Sequence, residues 1–112
     1  MTDTDQDFEA FWKKFLSDHP SAANRWAHVG ALVAGAGGVA WALRSRSISP
    51  ALKGAALAAA LAVGGHPVFQ GDQPKDFGRP LWAARAFLRL CVRTISGRAE
   101  QELAEMRAAS SG

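Results

Sequence analysis

The chain has 112 residues, 48% of them apolar, enough for one domain with a core of its own. Charged residues reach 21%, too many for a chain buried in lipid throughout and too few for a disordered tail. The one cysteine, Cys91, excludes an internal disulfide and a cysteine-based zinc cluster, and the net charge of +3 hides a residue 44–98 segment of +7 between two segments of −2.

The acidic N-terminus has no apolar run, so no signal peptide is expected. Residues 5–18 predict a short amphipathic helix, because Phe8, Phe11, Trp12, Phe15 and Leu16 recur at helical spacing on one face. Thr4 or Asp5 suits its cap, and Lys13 and Lys14 suit its C-terminal half. Its aromatic face fits either a core or a membrane interface.

Eighteen residues without formal charge follow, 26–43, and a second uncharged run covers 54–70. Pro50 and the Ser-rich stretch 45–49 mark a turn between them, which predicts an antiparallel hairpin of two helices, 26–43 and 51–69. Eighteen residues at about 1.5 Å each cover about 27 Å, close to a bilayer's hydrocarbon thickness. The Ala and Gly content and a mean hydropathy of −0.05 suit a soluble bundle with a buried hairpin instead. Trp26 and Trp41 at the ends of the first run favour the bilayer, as do small residues at every fourth position: Gly30, Ala34, Gly38 and Ala42, then Gly54, Ala58 and Ala62. Such rows serve the internal hairpin, a homodimer, or both.

Residues 67–80 predict a polar loop, and 81–96 a second amphipathic helix. Leu81, Ala84, Leu88, Cys91, Val92 and Ile95 share its apolar face, and Arg85, Arg89 and Arg93 form a ridge suited to an anionic leaflet or to water. A frayed tail is expected over 99–112. The expected architecture is therefore all-α: one domain, 1–112, with a two-span membrane hairpin flanked by two amphipathic helices. The bases flank uncharged runs instead of lining one helix, so membrane lipids, and not nucleic acid, are the expected partners. Counting bases near the hairpin ends puts both termini in the cytoplasm, and the chain is expected as a multi-pass membrane protein, in the inner or plasma membrane if the source is bacterial.

His28 and His66 each lie fifteen residues from the hairpin turn, counted to Leu43 and from Ala51, so they meet at one level. His19 sits in the link that enters the hairpin at that level. Three imidazoles form a metal site with open positions for substrate; equally, histidines at a membrane edge bridge carbonyls, water and headgroups. Asn24, Arg25, Asp18, Gln70 and Asp72 are near enough in sequence to hold such ligands in place. No Gly-x-Ser-x-Gly elbow, phosphate loop or dinucleotide fingerprint is present, and Cys91 reads as packing.

The blocks His19-Pro-Ser-Ala-Ala-Asn24-Arg25-Trp-Ala-His28, Gly65-His66-Pro-Val-Phe69-Gln70-Gly-Asp-Gln-Pro74 and Pro80-Leu81-Trp82 carry a resemblance over about residues 8–98. Together they resemble the membrane proteins typified by the fungal endoplasmic-reticulum 2-hydroxy fatty acid dioxygenase. The resemblance implies Fe2+-dependent α-oxidation of a lipid-derived 2-hydroxy acid, which loses one carbon to molecular oxygen. It implies His19, His28 and His66 as metal ligands and catalytic residues, with Asn24 and Arg25 on the family's Asn-Arg pair and Pro74 on its proline. Arg25 or Arg79 would hold the substrate carboxylate. The family usually has Glu where this chain has Gln70, and Asp72 replaces that carboxylate only if the loop folds back. The alternative is a non-catalytic membrane protein that organises lipid or a partner protein.

Overall fold

The computed structural model describes residues 3–72 and 79–111, with side chains described from 7 to 72 and 79 to 109. Pro74 and Lys75, expected in the polar loop, lie outside the described residues. Five α-helices follow one another: α1 (Asp3–Ser17), α2 (Ala22–Ser45), α3 (Ser49–Gly65), α4 (Pro80–Ile95) and α5 (Arg98–Ser111). Helix α1 starts at Asp3, so Thr4 and Asp5 fall inside its first turn instead of capping it.

Local chemistry sets the boundaries. Ser21 caps α2, its hydroxyl accepting from the Asn24 amide at 3.3 Å. Arg46 ends α2 in the left-handed region with φ of 54°, and its N–H returns to the Ala42 carbonyl. Pro50 sits in the first turn of α3, where its missing N–H costs nothing. Gly97, with φ of 79°, separates α4 from α5.

Helices α2 and α3 form the expected hairpin. They cross where Gly38 meets Gly54: a Cβ on Gly54 would stand 2.6 Å from the Ala34 carbonyl oxygen and 2.9 Å from the Gly38 Cα. The uncharged run 26–43 lies within α2, and Ser49–Gln70 forms the second apolar helical stretch long enough to cross a membrane. Only 17% of the most apolar window of each is buried in the protein. Val33, Val39, Leu43, Leu52, Leu57 and Val63 all point outward, which is not how a soluble core helix is used.

The core lies elsewhere, at the open end of the hairpin. Phe8, Trp12, Phe15 and Leu16 of α1 pack with Ala86 and Leu90 of α4 and with Ala99 and Leu103 of α5. The aromatic face of α1 is therefore a core face. The segment expected as a frayed tail, 99–112, is helical through Ser111 within α5 and contributes two core side chains, because Ala99 and Leu103 lie four apart on one face.

Helix α4 is rotated from its expected orientation. Ala86, Leu90, Cys91 and Thr94 are buried, whereas Leu81, Leu88, Val92 and Ile95 are exposed. The arginine ridge faces neighbouring helices instead of a leaflet. Arg89 donates to both carboxylate oxygens of Glu9 at 3.0 and 3.1 Å, Arg93 pairs with Glu102 at 3.4 Å, and Arg85 stacks over the Phe8 ring at 3.9 Å. More than half of this helix's circumference is apolar or small, so its own pattern does not select the inner face. The inner face is the one whose Ala86 and Leu90 meet the α1 and α5 core and whose flanking arginines reach Glu9 and Glu102.

Candidate metal centre

Three elements bring the histidines together. His19 leaves the end of α1, where its amide still donates to the Leu16 carbonyl at 3.0 Å. His28 lies in the second turn of α2. His66 opens a π-helical turn, His66–Gln70, that continues α3. Pro67 lacks the N–H that an α-helical ladder needs, and Gly71 closes the widened turn with φ of 72°.

All three side chains are buried, and one nitrogen from each lies within 4.8 Å of the others. His19 Nε2 and His66 Nε2 are 3.1 Å apart. Every Nδ1 has an oxygen partner: His19 donates to the Phe15 carbonyl at 2.6 Å, His28 to the Asn24 carbonyl at 2.8 Å, and His66 to the Asp72 carboxylate at 3.1 Å. Carbonyls and carboxylates only accept, so Nδ1 carries a proton in each ring, and in a neutral ring Nε2 is then the nitrogen with the lone pair. Two lone pairs at 3.1 Å repel unless a cation lies between them. Nitrogens bound to one ion at about 2.1 Å lie roughly 2.9–3.4 Å apart for angles between octahedral and tetrahedral values. The His19–His66 pair therefore has the spacing of two ligands on one ion, and with His28 beside them the three rings form a group that could hold a metal ion. Burial pushes the His19 imidazole down to about 3, outweighing its hydrogen bond to Phe15, so the ring is a neutral ligand at neutral pH.

Asp72 holds His66, and Gln70 holds Asp72. The turn at Gly71 folds the chain back, with the Asp72 amide on the His66 carbonyl at 3.3 Å. The Gln70 amide nitrogen donates to both Asp72 oxygens at 3.2 and 3.1 Å and to the Asp18 carbonyl at 3.0 Å. Its oxygen accepts from the Ser21 amide at 3.2 Å. A glutamate at position 70 would keep the acceptor and lose every one of those donations. We expect Gln70→Glu and Asp72→Asn each to weaken Co(II) binding about 10–100-fold, the usual penalty for losing a partner of a ligating histidine, measured by titration of the cobalt absorption bands. Unchanged affinity in both variants would remove Asp72 from the site.

Arg25 is fully buried and already engaged. It donates through one terminal nitrogen to the His19 carbonyl at 2.8 Å and pairs through the other with Glu100. It thus ties the His19 link to α5. Arg79, the other residue expected at a substrate carboxylate, is exposed and lies over the Trp82 ring at 4.4 Å. Asn24 lends its carbonyl to His28, while its side-chain amide is buried without a hydrogen-bond partner among the described residues and abuts Gly65. Any Cβ at position 65 would collide with that amide.

Sequence reading missed three participants. Glu100 sits in the segment expected to fray. Phe87 packs its ring 5.7 Å from that of His28, and Cys91 donates to the His28 carbonyl at 3.6 Å. Burial raises the Cys91 thiol to about 11, so it is a packed, protonated donor and not a nucleophile. The signal for Phe87 and Cys91 was their four-residue spacing on α4, which marks one face without naming what it meets.

The sequence profile of a family described as "2-hydroxy-palmitic acid dioxygenase Mpo1-like" matches residues 5–99, most of the chain. No curated protein and no solved structure matches it.

Proposed function

The chain belongs to the Mpo1-like family, and from that membership we propose that it is a membrane-embedded, Fe2+-dependent dioxygenase that shortens a 2-hydroxy fatty acid by one carbon. The observation that carries the reading is the cluster of three buried imidazoles, each Nδ1 tied down and one nitrogen of each ring within 4.8 Å of the others. Ferrous iron held by His19, His28 and His66 would supply open positions and the redox chemistry that dioxygen requires. Consumption of one dioxygen, with the shorter acid, carbon dioxide and water as products, balances the atoms.

The protein's own groups bind and orient. Asp72 accepts from His66 and fixes the orientation of that ring. Arg25 fixes the backbone that carries His19, and is a positioning residue in this reading. Arg79, exposed at the start of α4, is the cation left to meet a substrate carboxylate at the membrane surface. The Asn24 amide, buried and unpartnered, provides a donor and an acceptor beside the cluster. Phe15 and Phe87 wall the histidines from water.

The hairpin's outward apolar side chains support a bilayer location, with Trp26 and Trp41 exposed near its two levels. Leu81, Leu88, Val92 and Ile95 of α4, together with Val68 and Phe69, would lie in the leaflet that the histidine end enters. The count of bases near the hairpin ends places that leaflet on the cytoplasmic side. The test is conversion: iron-loaded protein in vesicles, given a 2-hydroxy fatty acid and air, is expected to yield the acid one carbon shorter. Substrate that survives unchanged, with iron shown to be bound, would refute the activity.

A further inference from the structure

Open grooves run along the hairpin among the described residues. One, of about 480 Å³, is floored by Gly37, Gly38 and Gly54 at the turn end, is lined in part by Lys53, and is lined by nothing from the histidine end. A second is different. It has a volume of about 730 Å³, and its described lining is uncharged throughout: among others, Ala31, Gly35, Val39 and Leu43 of α2, Ala58 of α3 and Phe87 of α4. That volume falls within the usual range for a ligand pocket.

Phe87 joins the groove to the histidines. Its ring closes the end near Ala31 and lies 5.7 Å from the His28 ring on its other side. From there the groove follows α2 to Leu43. Small residues at 31, 35, 36, 58, 59 and 62 line it, so little side chain stands between the groove and the backbone.

We propose that this groove is the acyl-chain subsite of the enzyme, and that its length is a ruler for the substrate. The proposal rests on the activity reading above for the identity of the head that sits at the histidines. The occupant is a single straight hydrocarbon tail, lying parallel to α2 with its polar end at the cluster. Ala31 to Leu43 spans about 18 Å along the helix at about 1.5 Å per residue. An extended chain rises about 1.25 Å per carbon, as bonds of about 1.52 Å at the tetrahedral angle require, so roughly fourteen carbons fit along the groove between Ala31 and Leu43.

The test uses the full chain in phosphatidylcholine vesicles and 2-hydroxy fatty acids that carry a photoreactive diazirine at the terminal carbon. Irradiation and peptide mapping read where the tail ends. A sixteen-carbon probe is expected to label near Leu43, and removal of four carbons, about 5 Å, to move the label back one helical turn to near Val39. Ala36→Phe, at an exposed position on the groove wall, is expected to abolish labelling beyond residue 36 while the protein still folds. Labelling spread over positions outside the groove, such as Val33 and Leu57, regardless of chain length would overturn the ruler, as would equal labelling of the groove by a diazirine phosphatidylcholine. Neither iron nor turnover is needed for this readout. Probes that label the groove but are never shortened would refute the activity and leave the subsite standing; probes that are shortened but label elsewhere would do the reverse.

Discussion

His66→Gln is expected to lose turnover on the order of 1000-fold or more while the protein melts no earlier than wild type. A bound metal contributes several kcal/mol to the reaction, and each 1.36 kcal/mol is a factor of ten in rate. The fold does not depend on the ring. The core of Phe8, Trp12, Leu16, Leu90 and Leu103 lies beside the cluster, and the hairpin crosses at Gly38 and Gly54. Without a cation, the Nε2 atoms of His19 and His66 face each other at 3.1 Å with their lone pairs. Removal of one therefore relieves the metal-free protein, a stability cost that a functional site accepts. Glutamine keeps a polar group within reach of Asp72. Thermal melting with and without Fe(II) separates the two roles: wild type gains stability from the metal and His66→Gln does not. A variant that melts far earlier yet keeps its turnover would make the histidine structural and favour a protein that organises lipid.

Gly54→Val is expected to take the hairpin apart. A Cβ at that position meets the Ala34 carbonyl oxygen at 2.6 Å and the Gly38 Cα at 2.9 Å. Both are backbone, so no rotamer change relieves the clash and the helices must separate where they cross. Overpacking of this kind costs about 1–3 kcal/mol even where side chains can move, and a branched residue here should exceed that range. Gly38→Val meets the same obstacle from the other side, with the Pro50 carbonyl at 2.7 Å. Gly37→Ala and Gly64→Ala, where nothing lies within 4 Å of an added Cβ, are the controls. Melting in bicelles should show the first pair strongly destabilised and the second pair close to wild type. Four equal melting temperatures would mean that the small-residue rows do not hold the hairpin.

Much of this was legible before any coordinates. The equal fifteen-residue arms that put His28 and His66 at one level are a property of spacing, and helix geometry turns spacing directly into height. The glycine rows announced a close crossing, because only absent side chains permit one. What spacing cannot convey is the identity of the group opposite. Arg25 looked free for a substrate because its partner, Glu100, is seventy-five residues away in a segment with no strong pattern. Helix α4 turned inward the face whose flanking arginines reach Glu9 and Glu102, and both carboxylates belong to other helices. The Gln70 departure looked like a lost ligand. A π turn and the left-handed Gly71 bring Asp72 back to His66, which makes the neighbouring amide an asset. Sequence periodicity assumes regular helix, so it has no way to register that widened turn.

The central claim is that the three histidines hold iron, and elemental analysis after anaerobic reconstitution with Fe(II) tests it most directly. The account predicts close to one iron per chain in the wild type and essentially none in a protein in which His19, His28 and His66 are all replaced. Equal iron in both, or no iron or other transition metal in the wild type, would contradict it.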